Sequence, residues 1–139
     1  MRKASWILLA VLGVLTLLIS FLSADLGYRG QYEIGGVRIT DIAAGRETVL
    51  HGLRGVRGTS AAYAGAFAVL YLSIVFGPYR KGEKWAWWAI FAAYALLITV
   101  VTLRVPLVGV TFGVYPALIP ATIALVGLLL DVRRVTSAS

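Results

Sequence analysis

The chain has 139 residues, of which 60% are hydrophobic, 14% are charged and none is cysteine. Soluble domains are roughly one half apolar and one quarter charged, so this composition predicts a membrane protein, and the lack of cysteine excludes disulfides, iron–sulfur clusters and Cys-based zinc sites. The formal net charge of +7 comes from basic residues in short groups beside apolar runs, a pattern that orients proteins in bilayers and does not indicate nucleic acid as a partner.

Four apolar stretches are long enough to cross a membrane. A hydrocarbon core of about 30 Å needs roughly 20 helical residues, and we predict transmembrane helices over 5–23, 59–77, 85–103 and 105–130. The first stretch also resembles a secretory signal, but its length favours an uncleaved span. The sequence therefore predicts an all-α membrane protein, a four-transmembrane-helix bundle that forms one membrane domain over 1–139.

Basic residues in the segments that flank the predicted spans indicate the orientation. They precede the first span, join the second to the third and follow the fourth; they are Arg2, Lys3, Arg80, Lys81, Lys84, Arg133 and Arg134. An even number of spans places these segments on one side, and basic segments tend to stay in the cytoplasm. We expect a protein of the cytoplasmic (inner) membrane with both termini cytoplasmic and an extracytoplasmic cap over 24–58.

The predicted outer cap begins with a β-hairpin. Gly35 and Gly36 suit a two-residue turn with positive φ, and apolar and polar residues alternate on either side of it. In this register Glu33 faces Arg38, and one face is apolar, formed by Tyr32, Ile34, Val37 and Ile39. An isolated two-stranded hairpin is marginal in water, so we expect this face to dock on the helix bundle or on a partner protein.

An amphipathic helix is predicted between the hairpin and the second span. Apolar residues recur at three- and four-residue spacing over 49–56, as in a helix at a membrane surface. Gly52, Gly55 and Gly58 each weaken a helix by roughly 1 kcal/mol relative to alanine. We therefore expect this helix to be interrupted before the membrane. We also expect the glycines to leave one helix face without side chains, against which another backbone can pack.

Four basic side chains are candidate contacts for lipid or another anion. Arg54 and Arg57 lie near the start of the second span, where guanidinium groups can hold lipid phosphate; His51 and Arg104 complete the set. Glu47, His51 and Arg54 could share a helix face suited to acid–base chemistry, but with no second acid, nucleophile or pocket motif a solvated face is the simpler interpretation. No catalytic, metal-binding or cofactor-binding residue is predicted, and an enzyme is the less favoured class.

The segment between the second and third spans, "PYRKGEKWAWW" from Pro78, combines charge with tryptophan. Indole rings favour the headgroup region and lysine chains can extend to phosphates. This predicts membrane-interface anchors, namely Trp85, Trp87, Trp88, Lys81 and Lys84. A surface that docks a partner is the alternative.

Small residues four positions apart are candidate helix-packing faces. Gly109 and Gly113 have GxxxG spacing, and Ala62 with Ala66 has a similar one. The predicted spans carry no ionisable residue in their interiors, which argues against a proton-coupled transporter or a charge-lined channel.

Over about 49–97, the order of elements resembles a family of small four-span prokaryotic membrane proteins in which an Arg-x-Gly-Glu-x-Trp-Ala-Trp-Trp-like turn joins the middle helices. Lys81 precedes Gly82 here and Arg80 stands one place earlier; the matching residues are Glu83, Trp85, Ala86, Trp87 and Trp88. The resemblance implies a four-helix membrane fold, similar to DoxX-like bundles, and no assigned reaction.

Two hypotheses for function follow. The leading one is a non-catalytic accessory or interaction subunit of a larger membrane complex, which docks through the outer cap and helix faces onto other subunits or onto itself. The alternative is a lipid- or small-molecule-handling protein with a site beneath the cap, near Tyr63, His51, Arg54 and Arg104. In both, the lipid bilayer is a partner.

Overall fold

The computed structural model describes residues 2–109, 111 and 114–136. Its elements are α1 (Arg2–Tyr28), β1 (Glu33–Ile34), β2 (Val37–Arg38), α2 (Ile39–Ala43), α3 (Glu47–Ile74), a π-helical turn (Val75–Tyr79), α4 (Lys84–Val108), α5 (Val114–Leu129) and α6 (Arg133–Thr136). By its internal contacts the chain divides into two compact units. The cap unit is 14–70, and the turn unit is 1–13 together with 71–139.

Within the described residues, three helices are long and apolar enough to cross a membrane: Ala4–Tyr28, Glu47–Tyr79 and Lys84–Leu107. The prediction of a helical chain with apolar, span-length helices is therefore confirmed. The fourth predicted span is represented by α5, which has 16 residues and rises about 24 Å, less than the roughly 30 Å of a hydrocarbon core. The four-span bundle is thus not confirmed.

The hairpin of the cap unit has the predicted register. Glu33 pairs with Arg38 and Ile34 with Val37, and the turn glycines have φ of 60° and 82°, which a two-residue primed turn requires. The strands are short because α2 begins at Ile39. Of the predicted apolar face, Ile39 is fully buried, Tyr32 and Ile34 are half-buried, and Val37 is 48% exposed.

The predicted break before the second span is wrong, because α3 runs without interruption from Glu47 to Ile74. A continuous helix satisfies its own backbone donors and acceptors, which in a membrane outweighs the roughly 1 kcal/mol that each glycine costs. Gly58 also gives room to Tyr28, since a Cβ there would lie 2.6 Å from the Tyr28 Oη. The close approach is therefore made by a side chain, and Gly52 and Gly55 face open space.

Proline and glycine shape the segment that joins α3 to α4. Pro78 cannot donate a backbone hydrogen bond, and the helix changes to a π-helical turn around it. Gly82, with φ of 98°, then ends the helix: its N–H bonds Tyr79 O at 3.1 Å, and Glu83 N–H bonds Pro78 O at 3.0 Å. This Schellman-type cap allows α4 to start at Lys84.

The third helix extends beyond its predicted end at 103. Arg104 to Val108 continue α4, which ends at Gly109 with φ of 70°. Arg104 is exposed, and a long basic side chain at a helix surface can extend toward water without ending the helix. Because Gly109 is the left-handed cap and Gly113 lies outside the described residues, the Gly109–Gly113 pair is not supported as one helical packing face.

Candidate functional site

The candidate site is a pair of arginines in the cap unit, beside the C-terminal end of α1. Gly30, with φ of 73°, closes that end: its N–H bonds Gly27 O at 3.1 Å, and Gln31 N–H bonds Leu26 O at 3.0 Å. This is again a Schellman-type cap. It turns the chain toward the hairpin and leaves two glycines facing α3.

Each of these glycines provides space for one arginine of α3. A Cβ on Gly30 would lie 2.9 Å from Arg54 Nη2, and a Cβ on Gly27 would lie 2.8 Å from Arg57 Cγ. The guanidinium carbon of Arg57 also lies 3.9 Å from the centre of the Tyr32 ring, a cation–π contact. Glycines at these two positions therefore let both arginines pack against the end of α1.

Among the described residues, none neutralises either guanidinium. Arg54 and Arg57 are half-buried, the Nε atom of each is buried without a hydrogen-bond partner, and no described carboxylate forms a salt bridge with either. The nearby pair Asp25 and Arg29 is joined at 2.9 Å, so that carboxylate is already engaged. Two cations three residues apart on one helix, both without an anion, form a region suited to binding a negatively charged group.

The other predicted lipid or anion contacts lie at exposed positions. His51 is exposed one turn before Arg54 on α3. Arg104 belongs to the turn unit and is exposed on α4. Tyr63, which the alternative hypothesis placed in a site beneath the cap, is 75% exposed on α3.

A cleft between α1 and α3 lies next to the arginine pair. It consists of two adjoining recesses of about 330 and 390 Å³. The α3 side is lined mainly by small residues, namely Gly58, Ala61, Ala62, Gly65 and Ala66, and the α1 side includes Ser20, Ala24 and Tyr28. The Ser20 hydroxyl bonds Leu17 O at 2.8 Å, so the cleft offers shape more than hydrogen bonds.

The predicted membrane-interface anchors differ among themselves. Trp85 and Trp88 are 54% and 53% exposed, and Lys81 and Lys84 are also exposed. Trp87 instead is 7% exposed; its ring stacks on Phe91, and its Nε1 donates to Leu128 O at 3.0 Å. Trp87 is therefore a packing residue within the turn unit.

A buried hydrogen-bonded cluster in the turn unit was not predicted. Ser5 and Tyr79 are both fully buried, and their hydroxyl oxygens are 2.6 Å apart. Ser5 donates its proton to Gly127 O at 2.7 Å, so Tyr79 must donate to Ser5. Gly127 and Leu128 lie in the last turn of α5, where carbonyls lack helical N–H partners. Ser5 donates to Gly127 O, and Trp87 adds a second donor to Leu128 O, which also accepts from the Asp131 N–H at 3.1 Å.

The turn unit also contains an apolar groove between α4 and α5. Its volume is about 410 Å³, and its walls include Tyr94, Ile98, Thr99, Leu118, Thr122 and Leu125. The hydroxyls of Thr99 and Thr122 bond carbonyls of their own helices at 2.8 Å. The groove therefore offers an apolar surface to a bound ligand.

Within the part of the chain that the structure describes, no group of three or more His, Asp or Glu side chains could hold a metal ion. Comparisons with protein-family models, with curated proteins and with solved structures give no match. The resemblance of the 49–97 segment therefore gains no support from them, and function has to be inferred from the geometry.

Proposed function

We propose that this chain is a non-catalytic interaction subunit of a larger integral membrane complex. The main support is the large helix surface that its own packing leaves free. Of the apolar window in each span-length helix, 28%, 22% and 11% is buried, from the first helix to the third. Helices that bury so little against their own chain have wide faces on which helices of another protein can pack.

The docking site in this proposal is the cleft between α1 and α3. Without a hydrophobic driving force in lipid, helices associate by close packing, and small residues allow their backbones to approach. Gly58, Ala62 and Ala66 follow one another at four-residue intervals along the cleft, and both alanines are exposed. A transmembrane helix of a partner protein is the occupant that fits this shape and its apolar lining.

The proposal includes a topology. α5 makes a short fourth crossing, which leaves the N-terminus, the basic 80–84 turn and the C-terminal arginines in the cytoplasm by the positive-inside tendency. The outer cap then faces away from the cytoplasm, where the exposed Val37 of the hairpin can contact a partner. A bilayer can thin locally around a short helix, at a cost of a fraction of a kcal/mol per Å.

Affinity purification of the tagged chain from its own membranes in a mild detergent tests the proposal. Mass spectrometry is expected to identify one or more membrane proteins in fixed stoichiometry. Recovery of the chain alone, as a monomer, would contradict an interaction subunit.

A pair of variants tests the cleft as the docking site. Ala62→Leu combined with Ala66→Leu fills the cleft and is expected to remove the partner. Ala92→Leu is the matched control, because Ala92 is exposed on α4 and outside the cleft, and it should retain the partner. If the partner is recovered equally with the double variant and with Ala92→Leu, the cleft is not the docking site.

A second candidate is a lipid- or small-molecule-handling protein, and the apolar groove between α4 and α5 favours it. Its volume of about 410 Å³ suits an acyl chain or another apolar ligand. Native mass spectrometry of the purified chain should then detect a retained lipid of defined mass, and Ala121→Phe, which narrows the groove, should release it. If the Ala121→Phe protein retains the lipid as the wild type does, this groove is not the lipid-binding site.

A further inference from the structure

We propose that Arg54 and Arg57 bind a phosphate group at the end of α1, supplied by a phospholipid headgroup or by a soluble phosphate ester. The inference goes beyond partner docking, because it concerns the charged end of the cap unit and not the apolar cleft. It rests on the two half-buried guanidinium groups that the chain leaves without an anion.

The energetic reason is the cost of a partly buried cation. A charged group that loses water is destabilised unless an opposite charge or hydrogen bonds replace the lost solvation. Arg54 makes no hydrogen bond within the described residues, and the Nε atoms of Arg54 and Arg57 are both buried and unbonded. The Nε atoms are covered by the protein, so a phosphate would bind at the Nη edge of each guanidinium, where it would supply the opposite charge that the described residues do not.

The arrangement of the pair is suited to a tetrahedral oxyanion. A guanidinium carries five N–H donors in its plane, and two of them can bind two phosphate oxygens at once. In Arg57 the guanidinium carbon lies 3.9 Å from the centre of the Tyr32 ring, a cation–π contact that restrains the group. Because its Nε is buried, the Nη donors are the ones that would bind the anion. Arg54 stands three residues earlier, on the same side of α3.

The position along α3 places the pair where phosphate is abundant. The helix Glu47–Tyr79 has 33 residues, whereas a hydrocarbon core of about 30 Å takes up roughly 20. Counted back from Tyr79, the core ends near Thr59, two residues after Arg57. On the α1 side, the charged residues Asp25 and Arg29 lie at the same end of the cap unit, as expected for the headgroup region.

Lipid binding to the full chain in a neutral detergent tests this site. The probes are phosphatidylglycerol, phosphatidylcholine and inorganic phosphate, each titrated while bound ligand is measured by native mass spectrometry or by thermal shift. The test variant is Arg54→Gln, because Arg54 makes no hydrogen bond to lose and Arg57 keeps its contact with Tyr32. The matched control is Arg46→Gln, which removes one positive charge from an exposed residue just before α3.

Arg54→Gln is expected to weaken phosphate-dependent binding by about tenfold or more, the usual effect of removing a charged hydrogen bond, while Arg46→Gln binds as the wild type does. Saturable binding of phosphatidylglycerol or phosphatidylcholine at concentrations where inorganic phosphate does not bind identifies a headgroup as the source. Binding of inorganic phosphate with no binding of either phospholipid identifies a soluble ester. Equal binding by the wild type and Arg54→Gln, or an equal loss in the two variants, would overturn the proposal. Circular dichroism in the same detergent confirms that each variant is folded.

Discussion

Two polar regions of this chain differ in how their hydrogen bonds are satisfied. In the turn unit, Ser5 and Tyr79 are fully buried, and both hydroxyls take part in hydrogen bonds that end on Gly127 O. In the cap unit, Arg54 and Arg57 are half-buried, and their Nε atoms have no partner. A buried polar group without a partner is costly. The first region is therefore satisfied within the chain, whereas the second is the one that we propose to bind an external anion.

The largest expected effect on stability is that of Trp87→Ala. The substitution removes a 7%-exposed indole from its stack on Phe91 and its hydrogen bond to Leu128 O. Loss of a buried aromatic side chain costs about 3–5 kcal/mol. Unfolding in mixed micelles of mild detergent and dodecyl sulfate, followed by far-ultraviolet circular dichroism, measures the change.

Trp85→Ala is the matched control for this prediction. Trp85 lies two residues before Trp87 on α4, but it is 54% exposed, and its indole N–H donates to the side chain of the neighbouring Glu83. Its loss is expected to cost about 1 kcal/mol or less. Equal losses for the two tryptophans would show that Trp87 is not a packing residue.

Ser5→Ala is expected to have the second-largest effect. It removes the hydroxyl that links Tyr79 to the last turn of α5, and disrupting a buried hydrogen-bond network of this kind costs about 1–3 kcal/mol. Ser60→Ala serves as the control, since that exposed hydroxyl only bonds Val56 O of its own helix and its loss should cost about 0.5 kcal/mol or less. A Ser5→Ala protein as stable as the Ser60→Ala protein would mean that the buried cluster does not stabilise the fold.

Arg54→Gln is expected to have the smallest effect on stability. Arg54 makes no hydrogen bond or salt bridge within the described ranges, and Gln removes a partly buried unpaired charge, so without ligand its replacement should not lower the free energy of unfolding by more than about 0.5 kcal/mol. The same unfolding experiment measures it. A loss above about 2 kcal/mol would assign Arg54 a structural role in the cap unit.

The parts of the fold that could be predicted were those governed by local sequence. Gly35 and Gly36 between alternating residues determined the hairpin register, because side-chain period and turn type depend only on neighbouring positions. The length and hydropathy of the apolar runs located three span-length helices for the same reason. The arginine pair was also chosen from local features, namely side-chain type and position near a span.

The errors occurred where the structure depends on contacts between residues distant in sequence or on the continuity of backbone hydrogen bonds. Glycine propensity predicted a break in α3, but backbone pairing and the contact of Gly58 with Tyr28 favour a continuous helix. The predicted third span stops at 103, just before Arg104, whereas α4 continues to its cap at Gly109. Trp87 was indistinguishable from its neighbours because its partner, Leu128, is 41 residues away.

The buried cluster was missed for a similar reason. Ser5 and Tyr79 are separated by 74 residues, and no periodicity relates them. The available signals were weak: a serine among apolar residues in a span, and a tyrosine directly after a proline. Either can bond its own helix or face water, so the sequence alone does not join them.

The contrast between the two regions is tested most directly by the thermal shift that phosphatidylglycerol induces in the wild type, Ser5→Ala and Arg54→Gln. We predict that Ser5→Ala lowers the melting temperature without lipid and keeps the lipid-induced increase. Arg54→Gln should melt as the wild type does without lipid and lose most of the increase. A full lipid-induced increase in Arg54→Gln would contradict the account, because the arginine pair would then not be the part of the molecule that requires an external anion.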